Sequence, residues 1–341
     1  MKPRELAETL SYMIPARLPV LIVGAPGIGK SDLVAQAALR THYTLIISHP
    51  VVNDPTDAKG LPWPDREGQS ARFLPFGDLA RALAAVDPTV WFLDDLGQAT
   101  PAVQASYMQL LLARRIGDHV LPDCVSFVAA SNRRTDRAGV SGLLEPVKSR
   151  FTAILDLDPD LDDWTEWALA NQVRPELLAF LRFRPDLLHN FSPSLDLVNS
   201  PCPRTWHACN QLLTLGLPAH LEFPALCGAI GEGAAAEFVG FLRTFRELPP
   251  LDSIILNPDT ASIPESPSAL YAVAAGLAHK TTYATLSQVA KYAERLYKAG
   301  HGEFAVLLMR DITKRDQSIC STSTFIRLAS SKIGKLIRGE E

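Results

Sequence analysis

The chain has 341 residues, of which 47% are hydrophobic and 21% charged, and a formal net charge of -4. Such values belong to an ordinary globular chain with a core of its own and exclude disordered, collagen-like and membrane classes, while the charge neither implies nor excludes nucleic acid. At about 100–200 residues per domain the length predicts two or three packed units. Five scattered cysteines, none in a C-x-x-C pair, make a poor disulfide framework and suit a reducing compartment. The N-terminal residues hold no apolar run of signal-peptide length, and no later stretch reaches the roughly 18 uncharged apolar residues of a membrane span. A cytoplasmic protein that does not enter a membrane is the expectation.

In chain order, Leu18 to Val23, Thr44 to Ser48, Thr89 to Leu93 and Val125 to Ala130 are short apolar runs that predict buried strands, with Phe151 to Leu157 as a fifth. Between them, Lys30 to Arg40, Gly77 to Val86 and Pro101 to Ala113 read as helices; the last carries Val103, Tyr107, Leu110 and Leu111 at helical spacing. Strands alternating with helices predict an α/β fold with a parallel sheet flanked by helices, over residues 1–157. The stretch from Asn53 to Pro64 is too rich in breakers for a strand or helix core. Beyond residue 158 the strand signals fade and helices punctuated by proline follow, predicting a helical lid over 158–248. Prolines at 249, 250, 258, 264 and 267 mark 249–267 as a linker. A helical region over 268–341 completes the chain, with Leu286, Val289, Ala293 and Leu296 as a packing stripe.

The chemistry is concentrated in two motifs. Gly24, Ala25, Pro26, Gly27, Ile28, Gly29, Lys30 and Ser31 satisfy GxxxxGK(S/T) between a strand and a helix, the context that a phosphate-binding loop requires. Small residues let backbone N–H groups curl around phosphates, the helix start adds a favourable dipole, and the Lys30 ammonium reaches the β and γ phosphates. Ser31 is the expected hydroxyl ligand of Mg2+. About sixty residues on, Val90 to Leu93 ends in Asp94 and Asp95, a Walker B arrangement in which Asp94 serves the metal. ATP and Mg2+ are therefore the expected ligands. Asp95 falls where a glutamate usually orients the attacking water, and is one methylene shorter. Because positioning supplies much of phosphoryl-transfer catalysis, slow hydrolysis is one expectation.

With both motifs in place, residues 1 to about 215 resemble the MoxR branch of AAA+ ATPases. Gly97 to Ala105 is similar to the proline-and-glutamine stretch that opens the next helix in that family, and Arg114 to Pro122 to its inserted hairpin. The resemblance implies that Asn132, at the end of a strand, is the sensor-1 residue that holds the lytic water, and that Arg150, in Glu145 to Phe151, is an arginine finger given to a neighbour. Lys148 is a substitute for the finger. It further implies that Arg204, in Pro203-Arg204-Thr205-Trp206, is the sensor-2 arginine of the lid, and that Trp63 lies on a loop facing a pore. Arg133, Arg134 and Arg137 read as solvated surface or a subunit contact.

The resemblance implies an AAA+ P-loop core with a lid, assembled as a homo-oligomeric ring, a hexamer for preference. Such a ring is a chaperone-like remodeller or activator of a protein client, often working with a von Willebrand factor A domain protein. Two other readings stay open. One is a nucleotide-controlled binding module that hydrolyses ATP weakly because of Asp95. The other is a DNA-remodelling ATPase of helicase-loader type, suggested by seven Lys/Arg against four Asp/Glu from Arg310 onward.

Overall fold

A computed structural model describes residues 1–64, 68, 70–136, 142–193, 196–330 and 334–336. The chain divides into two compact units, Met1–Asp160 and Leu161–Glu341. In the first, the elements in order are α1 (Pro3–Met13), β1 (Val20–Val23), α2 (Lys30–Arg40), β2 (Thr44–Ser48), α3 (Pro55–Lys59), β3 (Leu61–Pro64), β4 (Ala71–Leu74), α4 (Gly77–Leu83), β5 (Thr89–Leu93), α5 (Pro101–Ala113), β6 (Arg115–Ile116), β7 (His119–Val120), β8 (Val125–Ser131), α6 (Glu145–Lys148) and β9 (Ala153–Asp156). Five of these strands pair in the order β2-β5-β8-β1-β9, every neighbouring pair parallel.

The alternation of side chains along each strand explains why both faces of the sheet are covered. Val20, Ile22, Val90, Phe92, Val128 and Ala130 enter one apolar layer with α1 and α2. Leu21, Trp91, Leu93, Phe127 and Ala129 enter another with α4 and α5. A strand buried on both faces reads as a nearly continuous apolar run, and a polar exception needs a partner, as Ser126 finds by donating to Ile14 O at 2.7 Å. In the second layer Trp91 stacks on Phe127 with ring centroids 5.5 Å apart, and its Nε1 donates to Ser48 Oγ at 2.8 Å. Tyr107 on α5 accepts from Asn53 Nδ2 at 2.9 Å, and burial pushes its hydroxyl up to about 12.

The stretch 53–64 does not follow its sequence expectation. Asp54 and Asp57 close a reciprocal cap around Pro55, which occupies the first helical position, so α3 forms in spite of the breakers. Leu61 to Pro64 then pairs antiparallel with Ala71 to Leu74. Proline is tolerated here because the ribbon has only two strands, each with an unpaired edge. The ribbon leaves Trp63 and Phe73 exposed. Arg115 to Val120 forms a second small hairpin turning at Gly117, φ +54°.

The second unit is helical: α7 (Leu161–Ala170), α8 (Pro175–Phe183), α9 (Pro203–Thr214), α10 (Ala219–Ile230), α11 (Glu232–Glu247), α12 (Leu251–Leu256), α13 (Pro267–Lys280), α14 (Leu286–Lys298), α15 (Gly302–Arg315) and α16 (Ser323–Ala329). Phe180 of α8 packs against Trp206 and Phe238, and the Trp206 indole donates to Leu187 O at 2.6 Å. Inside the stretch 249–267 expected as a linker, α12 forms and buries Ile254 and Ile255 against α13 and α14. The four residues of the α14 stripe, Leu286, Val289, Ala293 and Leu296, are all buried. No helix among the described residues is long and apolar enough to cross a membrane.

Arg182 of α8 and Asp311 of α15 form a bidentate pair at 2.5 and 2.7 Å, with side chains only 10% and 3% exposed. Removing one partner leaves the other charge buried without compensation. Asp311→Ala is therefore expected to cost about 3–5 kcal/mol, whereas Arg182→Met with Asp311→Leu recovers most of that loss. Thermal unfolding of the two variants checks this; a single variant as stable as the parent would contradict it.

Candidate functional site

Three neighbouring parallel strands, β5, β8 and β1, end at the same edge of the sheet, and each hands a motif to that edge. Ligands of open α/β sheets bind at these carboxyl ends. From β1 the chain enters the loop Gly24 to Gly29, whose first N–H donates to Ser131 O at 3.2 Å. Gly27 and Gly29 adopt φ of +75° and +93°, the left-handed region that suits glycine. A Cβ on Gly24 would lie 2.7 Å from Ile28 Cδ1 and 2.8 Å from Leu157 O, so only glycine fits there. Gly29 caps α2 without a side-chain hydrogen bond. The helix start therefore offers N–H groups and a positive dipole end that an anion can use.

Lys30 is 7% exposed and donates through Nζ to Gly24 O and Ala25 O, both at 2.9 Å, and to Asn132 Oδ1 at 2.7 Å. The phosphate-loop lysine and the residue expected as sensor 1 are thus in direct contact. Ser31 Oγ donates to Asp94 Oδ2 at 2.6 Å, which brings the two expected metal ligands together. Two hard oxygen donors in contact at the mouth of a phosphate loop fit Mg2+. The Asp94 N–H in turn donates to Ser48 O at 2.9 Å. Ser48, which sequence reasoning passed over, thereby fixes the end of β5; only the buried tryptophan beside it carries a hint in the sequence.

Asp95 is half-buried and has φ +57°, ψ +32°, and its N–H donates to Asp94 Oδ1 at 3.1 Å. Aspartate tolerates the left-handed region better than most residues, because its short polar side chain can bond locally. The backbone thus supplies a reason for the shorter acid at this position. If Asp95 has the water-orienting role expected of it, Asp95→Glu lengthens the acid by one methylene and raises ATP turnover on the order of tenfold, at a backbone cost of about 1 kcal/mol seen in thermal unfolding. Steady-state phosphate release checks the rate; an unchanged or slower variant would show that reach at this position does not limit hydrolysis.

Arg150 lies between α6 and β9. Its Nη1 donates to Ser149 Oγ at 2.9 Å, its Nε is buried without a hydrogen-bond partner, and no carboxylate pairs with it among the described residues. Lys148 pairs with Glu145 on the same short helix. Arg133 donates to Asp156 Oδ1 and Asp158 Oδ1, both at 2.6 Å, and to Leu157 O at 3.0 Å, so it ties the end of β8 to the end of β9. It is neither a free surface cation nor part of the phosphate loop. Arg137 lies outside the described residues. In the second unit Arg204 is exposed on the first turn of α9, after Pro203 at its first position.

The sheet order, the glycine loop and the paired Ser31 and Asp94 define an AAA+ P-loop nucleoside-triphosphatase fold. Residues 19–151 match the family model described as AAA domain (dynein-related subfamily). No curated protein matches the chain. Among solved structures it is similar to the RuvB Holliday junction branch migration motor of Thermotoga maritima, at 18% identity over 87% of both chains with a TM-score of 0.40. It is also similar to NtrX from Brucella abortus in complex with ATP, at 11% identity over 98% of this chain and 66% of that one, with a TM-score of 0.43.

Proposed function

We propose that the chain binds Mg-ATP at the edge formed by β5, β8 and β1 and hydrolyses it within a homo-oligomeric ring, a hexamer for preference, of the MoxR type. The observation that carries this reading is the pair of side-chain contacts Lys30 to Asn132 and Ser31 to Asp94, which joins all three strand-end motifs. Lys30 holds the β and γ phosphates, and the N–H groups of Ala25 and of Gly27 to Ser31 line the cradle, Pro26 having none to give. When bound, Mg2+ held by Ser31 and Asp94 neutralises charge on the phosphate oxygens. Asp95 accepts a hydrogen bond from the attacking water, and Asn132 holds that water in line. Arg150 of a neighbouring subunit stabilises the charge that develops in transfer. Arg204 acts as the nucleotide-sensing arginine of the second unit.

Turnover in this scheme remodels a protein client in the cytoplasm, with a von Willebrand factor A domain protein as the partner class. The test is Mg-ATP turnover per protomer against protein concentration. A cooperative rise supports a ring with a shared site. Tight ATP binding with no turnover at any concentration overturns the motor and leaves a second reading, a nucleotide-gated switch. That reading is favoured by one observation, the short acid at Asp95.

A further inference from the structure

Gln104 is completely buried in α5, and a buried amide has to satisfy both its donor and its acceptor ends. Its Nε2 donates to Ala99 O and to Gly142 O, each at 3.0 Å, and its Oε1 accepts from Leu144 N at 2.9 Å. The bond to Ala99 is local to the start of α5. The other two span about forty residues and grip the backbone on either side of Leu143.

The segment beyond Leu143 is short, with only Leu144 and the four residues of α6 before Ser149 and Arg150. Leu144 is the residue on which α6 begins. Val147, fully buried, pins α6 to the core, and the Arg150 N–H donates to Val147 O at 3.1 Å. Gln104 therefore sets where α6 starts, and α6 sets where Arg150 is presented. On its other side, Ala99 closes the short turn that begins at Asp95. One side chain thus bridges the end of the turn after the acidic pair and the arginine segment of the same subunit.

We propose that Gln104 is a positioning residue for Arg150: it fixes the arginine that each subunit gives to its neighbour, in register with the turn following that subunit's own Asp95. This rests on the reading of Arg150 as a finger acting in trans. The two nonlocal bonds run to the arginine segment and none of the three runs to the phosphate loop. Loss of the amide should therefore disturb the neighbour's site and spare nucleotide binding in its own.

The test uses the full-length protein carrying Gln104→Met, which keeps the side chain's length without its polar ends, and Gln104→Glu, which keeps the acceptor for Leu144 and loses the donor. Both are expected to lower Mg-ATP turnover roughly 10- to 100-fold, the scale of a misplaced reacting group. Affinity for a fluorescent ATP analogue stays within about twofold, since every P-loop contact remains.

Each variant is then mixed with inactive Lys30→Ala protomers, which contribute an intact Gln104 and Arg150. At equal ratio a random ring has roughly one interface in four with a working phosphate loop facing a well-placed arginine, so turnover should recover to about a quarter of the parent rate. Arg150→Ala mixed with Lys30→Ala is the control and should recover likewise. Recovery in the control with none in the Gln104 mixtures overturns the proposal, because a residue acting only on its own site or on folding cannot be rescued by a neighbour. No recovery in the control removes the trans finger itself, and the Gln104 assignment falls with it.

Discussion

In Lys30→Ala, phosphate release at saturating Mg-ATP is expected to fall on the order of 100- to 1,000-fold, the scale of losing one preorganised electrostatic donor from a transfer site. The ammonium is buried and already aimed at the loop, touching Gly24 O, Ala25 O and Asn132 Oδ1. Alanine removes the charge without filling the space, so ATP affinity should weaken as well. The fold itself should persist. A buried lysine is held at a desolvation cost, and deleting it relieves that cost while Gly24 O, Ala25 O and Asn132 Oδ1, all uncharged, each lose a donor. Turnover within a factor of a few of the parent would take the phosphate-binding role away from this loop.

Arg150→Ala has the second large effect, with turnover falling roughly 1,000-fold or more, as on removal of an arginine finger, while ATP binding is retained. The partition between binding and turnover is the informative part. A residue that merely held its own subunit together would lower stability and binding together. Arg150 has a buried Nε with no partner and no carboxylate to pair with among the described residues, so its guanidinium is not spoken for by a local ion pair. Calorimetric or fluorescence titration of ATP beside a turnover assay separates the two cases. Equal loss of affinity and rate would return Arg150 to a structural role.

Much of the first unit is legible in the sequence because of what a doubly covered parallel sheet demands. Val90 to Leu93 is apolar throughout and Val125 to Ala130 apolar except for Ser126, whose buried hydroxyl donates to Ile14 O, and they read as strands for that reason. The loop Gly24 to Gly29 is legible as a strand-to-helix turn because left-handed glycines and a helix start leave little freedom of composition. Gly77 to Val86 reads as a helix three residues too long, since the helix ends at Leu83 and Val86 is exposed.

Other elements are hidden by local chemistry that single-residue preferences misreport. Pro55 and Pro62 signal breaks, yet one begins α3 under the cap made by Asp54 and Asp57, and the other sits in an isolated two-stranded ribbon. Ile254 and Ile255 lie among prolines and still fold as α12, because burial against α13 and α14 outweighs the flanks. Pro3 to Met13 forms α1 with no strand signal before it to frame it. At the site, motif residues are readable and their supports are not. Arg133 reads as surface charge, and its role in joining β8 to β9 depends on two aspartates more than twenty residues away.

The ribbon formed by β3 and β4 also gives the protein a built-in optical reporter. Of the five tryptophans, Trp91 and Trp206 are completely enclosed, while Trp63 is 59% exposed on the ribbon. An aqueous collisional quencher reaches the indole at 63 and not those at 91 and 206. Its contribution to the emission can be isolated by difference against Trp63→Phe. Anything that settles on this ribbon will shield that indole and shift its emission to the blue, without any label having been attached.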